Sequence, residues 1–317
     1  MSKVTIISRN CTTFTPTKEL DEEALRRSLQ RFVDSEIVVY LCSGGSGEAN
    51  LLTRDECRRI YRIGVEVCKG KIEVWANIPE VRSAAEAIEL AQLPIEAGVD
   101  QVNFYGPAKI HGYVPTDEEL ETYFDDVLSA VKVPIALAPN PTQGYLPKPS
   151  LMAKLADTYS QVEAVNLVGI DGDEYFLEIR ELIKRDDVML NVPLPGSMNM
   201  LTLGAQGLIC NLANIIPKTV RRYVDLFESG SFDEMAKVYA DLERFSRYVE
   251  HWPGARWQKM ALRLLKLPGG EGGLRKPYLM PSDDELRRFA DGLLKLGLPE
   301  IDELAREAGL VEAGVGV

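Results

Sequence analysis

The run I-V-V-Y-L-C, residues 37–42, is short, apolar and rich in β-branched side chains. Eleven residues later comes T-R-D-E-C-R-R-I-Y-R-I, residues 53–63, with its apolar residues at helical spacing. The first reads as a buried parallel strand and the second as a helix laid against it. Thr53 stands where an N-cap belongs, with Glu56 three residues on, the pattern of a capping box. Thr116 and Glu119 repeat that pattern in T-D-E-E-L-E-T-Y-F-D-D-V (116–127).

The unit recurs along the chain. Further strand-like runs are V-T-I-I-S (4–8), I-E-V-W-A (72–76), Q-V-N-F-Y (101–105), P-I-A-L-A (134–138), V-E-A-V-N-L-V (162–168), V-M-L-N-V (188–192) and G-L-I-C-N-L (207–212). Helical segments such as 21–32 and 173–183 lie between them. Eight βα units in the first 228 residues predict an α/β fold of the (β/α)8 TIM-barrel type. An open doubly wound sheet normally places a glycine-rich phosphate turn after its first strand. Here that turn is N-C-T-T-F-T-P, without glycine. Residues 229–317 read as a C-terminal helical extension, and P-G-G-E-G-G (268–273) as a flexible connection within it.

Composition narrows the partners. The 317 residues carry 36 Lys and Arg against 48 Asp and Glu, for a net charge of −12. That balance argues against nucleic acid, whose binders leave a basic footprint. No apolar run reaches the roughly 18 residues of a membrane span, and the N-terminus lacks the apolar core of a signal peptide. Five cysteines without a C-x-x-C pair suit reduced thiols in the cytoplasm. With only His111 and His251 available, neither near a cysteine, no metal site and no cofactor is expected.

Three stretches resemble one known family. L-C-S-G-G-S-G-E-A-N-L-L-T-R-D-E (41–56) is similar to the G-T-T-G-E…L-T-x-x-E signature of the dihydrodipicolinate synthase / N-acetylneuraminate lyase family. L-G-A-Q-G-L-I-C-N-L-A-N-I-I-P-K (203–218) resembles its L-G-A-x-G-V-I-S-V-x-A-N-x-x-P, and the tail from G-L-R-K-P-Y-L (273–279) resembles its closing segment. The resemblance implies a (β/α)8 barrel with a helical extension, a homodimer or homotetramer, and aldol-type chemistry on pyruvate through a lysine imine. That lysine lies in a pattern like I-x-G-I-K-E. The matching stretch here is V-E-A-V-N-L, which puts Asn166 at the lysine position. An amide nitrogen is not nucleophilic and forms no imine. The family's tyrosine relay and carboxylate-binding arginine, in L-Y-N-V-P-x-R-T-G, fall on Ala138 and Gln143 of L-A-P-N-P-T-Q-G (137–144). The threonine pair falls on Gly45 and Ser46, and the seventh-strand S-G on Asn191 and Val192. Tyr105 alone keeps an aromatic hydroxyl of the motif.

Asparagine stands at or near the carboxyl end of seven strands, at 10, 77, 103, 140, 166, 191 and 211. Asn favours turns through its own backbone bonds, yet the recurrence suggests an amide-rich mouth. Ser43, Ser46, Asn140, Asn166, Asn191 and Asn211 are the candidate substrate-binding residues, and Ser46, Asn166 and Asn211 are expected to share one cavity. G-G-S-G-E is a candidate anion cradle at the start of a helix. Amides orient ligands and stabilise oxyanions but do not move protons at neutral pH. Proton transfer is therefore assigned to Tyr105, His111 and Tyr113, the last two in the loop 106–115, with Lys109, Glu48 and Asp171 also near. Glu48, Asp171 and His251 read more simply as structural. The function expected is a lyase-type reaction on a small polar oxo acid, carboxylate-bearing, without a Schiff base. The alternative is a catalytically silent member that binds a small ligand or a protein partner.

Overall fold

A computed structural model describes residues 3–170 and 173–311. Asp171 falls outside the described residues. The apolar runs form eight parallel strands that close in sequence order: β1 (Thr5–Arg9), β2 (Val38–Leu41), β3 (Val74–Asn77), β4 (Gln101–Phe104), β5 (Ile135–Leu137), β6 (Val162–Asn166), β7 (Met189–Pro193) and β8 (Gly207–Ile209). Strands such as β2 are buried on both faces, the state that continuous β-branched runs serve.

The helices of the barrel are α1 (Glu22–Asp34), α2 (Arg54–Cys68), α3 (Ala84–Ala97), α4 (Asp117–Ala130), α5 (Pro149–Thr158), α6 (Glu174–Leu182), α7 (Ser197–Thr202) and α8 (Pro217–Glu228). Both expected capping boxes form, at Thr53 with Glu56 and at Thr116 with Glu119. The extension continues as α9 (Phe232–Val249), α10 (Arg256–Leu264), α11 (Asp283–Lys295) and α12 (Pro299–Glu307). No helix is long and apolar enough to cross a membrane among the described residues.

Residues paired across parallel strands share a face, so the register shows what fills the barrel. Ile7, Val38, Tyr40, Trp75 and Ile209 make an apolar cluster inside β8, β1, β2 and β3. Tyr40 and Trp75 meet edge to face, with centroids 5.5 Å apart. The other half holds amides: Asn77 pairs with Asn103, and Asn166 with Asn191, all four buried.

The extension is anchored at the carboxyl ends of β1 and β2. Lys259 of α10 is wholly buried there. Its Nζ donates to the Thr12 carbonyl, lies 3.4 Å from the Glu48 carboxylate and sits 4.8 Å from the Phe14 ring centroid. Arg275 lies 4.2 Å from the same centroid and holds both carboxylate oxygens of Glu56, at 2.8 and 2.7 Å. The glycine run 268–273 departs from its expected flexible role. Gly269, Gly270, Gly272 and Gly273 are buried. A Cβ on Gly272 would overlap the Phe14 carbonyl, so glycine serves close approach here rather than mobility.

The Arg275 hydrogen bonds hold the Glu56 carboxyl below its ordinary value of 4.5. A lowered folded pKa stabilises the protein above the unfolded value and is lost as pH falls. Loss of these part-buried, charge-assisted hydrogen bonds in Arg275→Gln is expected to cost about 1.5–3 kcal/mol at neutral pH. Urea titrations at several pH values should show that deficit shrinking below about pH 4.

Candidate active site

A cavity of 280 Å³ opens at the carboxyl ends of the strands, where barrels of this type place their reactive groups. Arg9 is the last residue of β1. It lies two positions beyond Ile7, on the inward face, and its backbone pairs with Tyr40. It lines the cavity half-buried, and it joins no ion pair among the described residues. Ser43 and Ser46 come from the turn after β2, Asn140 from the turn after β5, and Asn211 from the turn after β8.

Each of these four side chains accepts a hydrogen bond. The Ser43 hydroxyl accepts from the Gly47 N–H at 3.0 Å, and Ser46 from the Gln258 amide at 2.9 Å. Asn140 Oδ1 accepts from the Thr142 N–H at 3.0 Å and caps the turn Pro141–Gln143. Asn211 Oδ1 accepts from the Arg9 N–H at 3.4 Å. A hydroxyl also has one proton to give, and an amide two. The wall around Arg9 therefore offers hydroxyl and amide donors beside a guanidinium, which is what an acceptor-only carboxylate requires. Glu80 and Tyr105 supply the other ionisable groups of the wall, and Trp257 reaches in from α10. Gln143 also lines it, with its buried Oε1 unpartnered among the described residues.

Asn166 and Asn191 do not line this cavity. They belong to a chain of amides one layer deeper. Asn191 Nδ2 donates to Asn166 Oδ1 at 2.8 Å, and Asn166 Nδ2 donates to Asn103 Oδ1 at 2.8 Å and to the Tyr40 hydroxyl at 3.0 Å. Asn103 Nδ2 donates to Asn77 Oδ1 at 2.9 Å, and Asn77 reaches the Leu41 carbonyl at 3.5 Å. Asn166 thus has both N–H groups and its oxygen occupied, while Val168, two residues on, reaches the cavity. The structure brings Ser46 and Asn211 together and leaves Asn166 beneath them. Burial and the Tyr105 hydroxyl nearby push the Tyr40 phenol well above its usual range, which keeps it neutral within the network.

The loop 106–115 turns back on itself through a bridge between Ile110 and Tyr113. His111 and Tyr113 are exposed, and the Tyr113 hydroxyl donates to Glu119 at 2.7 Å, so neither lines the cavity of its own chain. Lys109 packs its stem on Gly144. Among the described residues no lysine lines the cavity. His251 is exposed beside Trp252. Glu48 turns its carboxylate to Lys259, at a left-handed φ of 50°. The turn G-G-S-G-E does not open a long helix. A single turn, Ala49–Leu51, follows it, α2 starts only at Arg54, and the Gly47 and Ala49 N–H groups bond back to Ser43.

Arg9, Glu80 and Trp257 escape a reading by motif. Arg9 lies just past the run V-T-I-I-S, yet the alternation Thr5, Ile7, Arg9 places it on the inner face.

The sequence matches the dihydrodipicolinate synthetase family over residues 3–295. The chain belongs to this family. Similar relatives include a 4-hydroxy-tetrahydrodipicolinate synthase of Methanococcus maripaludis, 27% identical over 290 residues, covering 90% of this chain and 96% of the relative. A synthase of the same name from Pelobacter propionicus is 29% identical, covering 87% and 92%. The structure of dihydrodipicolinate synthase from Aquifex aeolicus superposes with a TM-score of 0.84 at 22% identity, over 94% of this chain and 99% of that one. The dihydrodipicolinate synthetase fold thus spans barrel and extension together.

Within this family member the amide chain predicts a stability effect. Asn166→Ala would orphan Asn103 Oδ1, the Tyr40 hydroxyl and Asn191 Nδ2. At about 1–3 kcal/mol per buried orphan, the loss should be at least 3 kcal/mol, read by chemical denaturation.

Proposed function

We propose that this chain is a lyase-type enzyme that binds a small carboxylate-bearing oxo acid and works through an enolate rather than a lysine imine. The observation that carries the reading is the donor wall around Arg9. Gln143 stands at the position of the family's carboxylate-binding arginine, as matched by motif, and Arg9 supplies a guanidinium from β1 instead. Asn166 stands at the position of the imine lysine, and no lysine lines the cavity among the described residues.

Arg9 holds the substrate carboxylate in a charge-assisted, forked contact. In the cleavage direction Glu80 takes the proton of a hydroxyl two carbons from the ketone. The carbon–carbon bond breaks, an aldehyde leaves, and the bonding pair moves to the ketone oxygen. The hydroxyls of Ser43 and Ser46 and the Asn211 amide donate to that oxyanion, the role amides and hydroxyls fill in oxyanion holes. Tyr105 gives its proton to the enolate carbon and regains one from Glu80. Atoms and charge balance without a redox partner.

The exposed apolar side chains Ile110, Tyr113, Val114 and Leu146 support self-association as a dimer or tetramer. His111 and Tyr113 then enter the chemistry only from a subunit contact. Five buried, unpaired cysteines support the expected reducing cytoplasm. A silent, ligand-binding role is the second reading, favoured by the structural use of the deeper amides.

Proton exchange separates the two. In heavy water the protein is expected to exchange the C3 protons of pyruvate, read by NMR, and borohydride should trap no adduct by intact mass. Binding without exchange would leave the silent reading standing, and a trapped lysine adduct would restore imine chemistry. Arg9→Gln should weaken pyruvate binding about 10–100-fold. Tyr105→Phe should slow exchange at least 100-fold with little change in binding.

A further inference from the structure

We infer that the acid held by Arg9 carries an apolar, ring-sized side group, which lies in a second compartment beyond Arg9. The inference rests on the carboxylate reading above and extends it to the substrate class. Arg9, Val168, Asn211, Gly254 and Trp257 line two cavities at once. One is the serine-walled cavity already described. The other, of 240 Å³, is walled by Pro193, Leu194, Pro195, Val249, Trp252 and Trp257.

The two compartments differ in chemistry. The first is rich in donors. In the second, Pro193 and Pro195 have no N–H to offer, and the Leu194 N–H bonds the Ile209 carbonyl at 3.2 Å. The Trp252 indole N–H is held by Glu285 at 2.7 Å. Burial pushes the Cys210 thiol up to about 12, so it is neutral there. The polar groups of this compartment are few and lie at its edges, Ser246 and Glu250 on one side and the shared Arg9, Asn211 and Trp257 on the other, so a polyol chain crossing the proline and leucine wall would regain few of the partners it has in water. A hydrocarbon ring gains from the same walls. Glu250 lines the compartment from an exposed position and disfavours a second carboxylate.

The shared lining points the same way. Arg9, Asn211 and Trp257 border both compartments, so a ligand held by Arg9 has both within reach and spans the junction. Its carboxylate meets Arg9, its carbonyl lies among Ser43, Ser46 and Tyr105, and its apolar group rests on Trp257 and the two prolines.

The test compares pyruvate with phenylpyruvate on the full-length protein, by calorimetry and tryptophan fluorescence. Phenylpyruvate is expected to bind about 10–100-fold more tightly. Ser246 lines the apolar compartment from α9 and lies outside the proposed machinery. Ser246→Phe should remove the advantage of the aromatic acid while pyruvate affinity stays within about twofold. Ser246→Leu, a smaller plug, should remove part of it and serves if the larger one unfolds. Equal affinity of the two acids for the unsubstituted protein, or an advantage that survives both plugs, overturns the inference and leaves the carboxylate reading intact. Binding of neither acid overturns both.

Discussion

Asn166 on β6 and Asn103 on β4 share a hydrogen bond of 2.8 Å across the strand between them. Two strand spacings amount to roughly 10 Å, a gap that two asparagine side chains close only if the intervening strand stays out of the way. At that level β5 contributes Ala136, paired with Asn103 in the register. On the other side Asn191 presses its oxygen onto Gly207 of β8, where any Cβ would collide with it. The amides thus run in one donor direction from β7 to the Leu41 carbonyl, with small residues making room. A lysine at 166 would bring an ammonium among Tyr40, Asn103 and Asn191, with no carboxylate to meet it. This layer of amides is a structural floor beneath the cavity.

The roof belongs to the extension. Lys259 and Gln258 are neighbours on α10 with different duties. Lys259 ties the helix to Thr12, Glu48 and Phe14. Gln258 accepts from the Cys11 thiol at 3.1 Å and donates to Ser46 at 2.9 Å. By occupying a lone pair of Ser46, Gln258 fixes the side from which that hydroxyl donates. Trp257, one residue earlier, lines both compartments. A single helical turn therefore sets the orientation of a proposed oxyanion donor and the shape of the ligand space, which is why barrel and extension act as one unit.

Much of the fold could be read from pattern. The alternation of β-branched runs with amphipathic segments, and the capping boxes at Thr53 and Thr116, point to a (β/α)8 barrel because each unit buries its apolar face in only one way. The site was legible in part. Ser43, Ser46, Tyr105, Asn140 and Asn211 follow strand ends, and strand ends converge in any closed barrel. His111 and Tyr113 stand out by residue type, and they sit exposed on a loop bridged between Ile110 and Tyr113 that does not line the cavity of their own chain. The glycines at 268–273 looked like a linker, and close packing on Phe14 makes them a seam.

The sequence by itself determined the order of elements, the family and the identity of the residue at position 166, because these follow from local periodicity and motif. Tertiary structure alone decided that Asn166 has no free polar group and that Trp257, from the extension, lines both compartments. The physical reason is the same in each case. Hydrogen-bond occupancy and ion pairing depend on which atoms meet across elements that are 63 to 247 residues apart in the chain, as the Asn166–Asn103 and Cys11–Gln258 bonds are. No spacing within one element encodes those meetings.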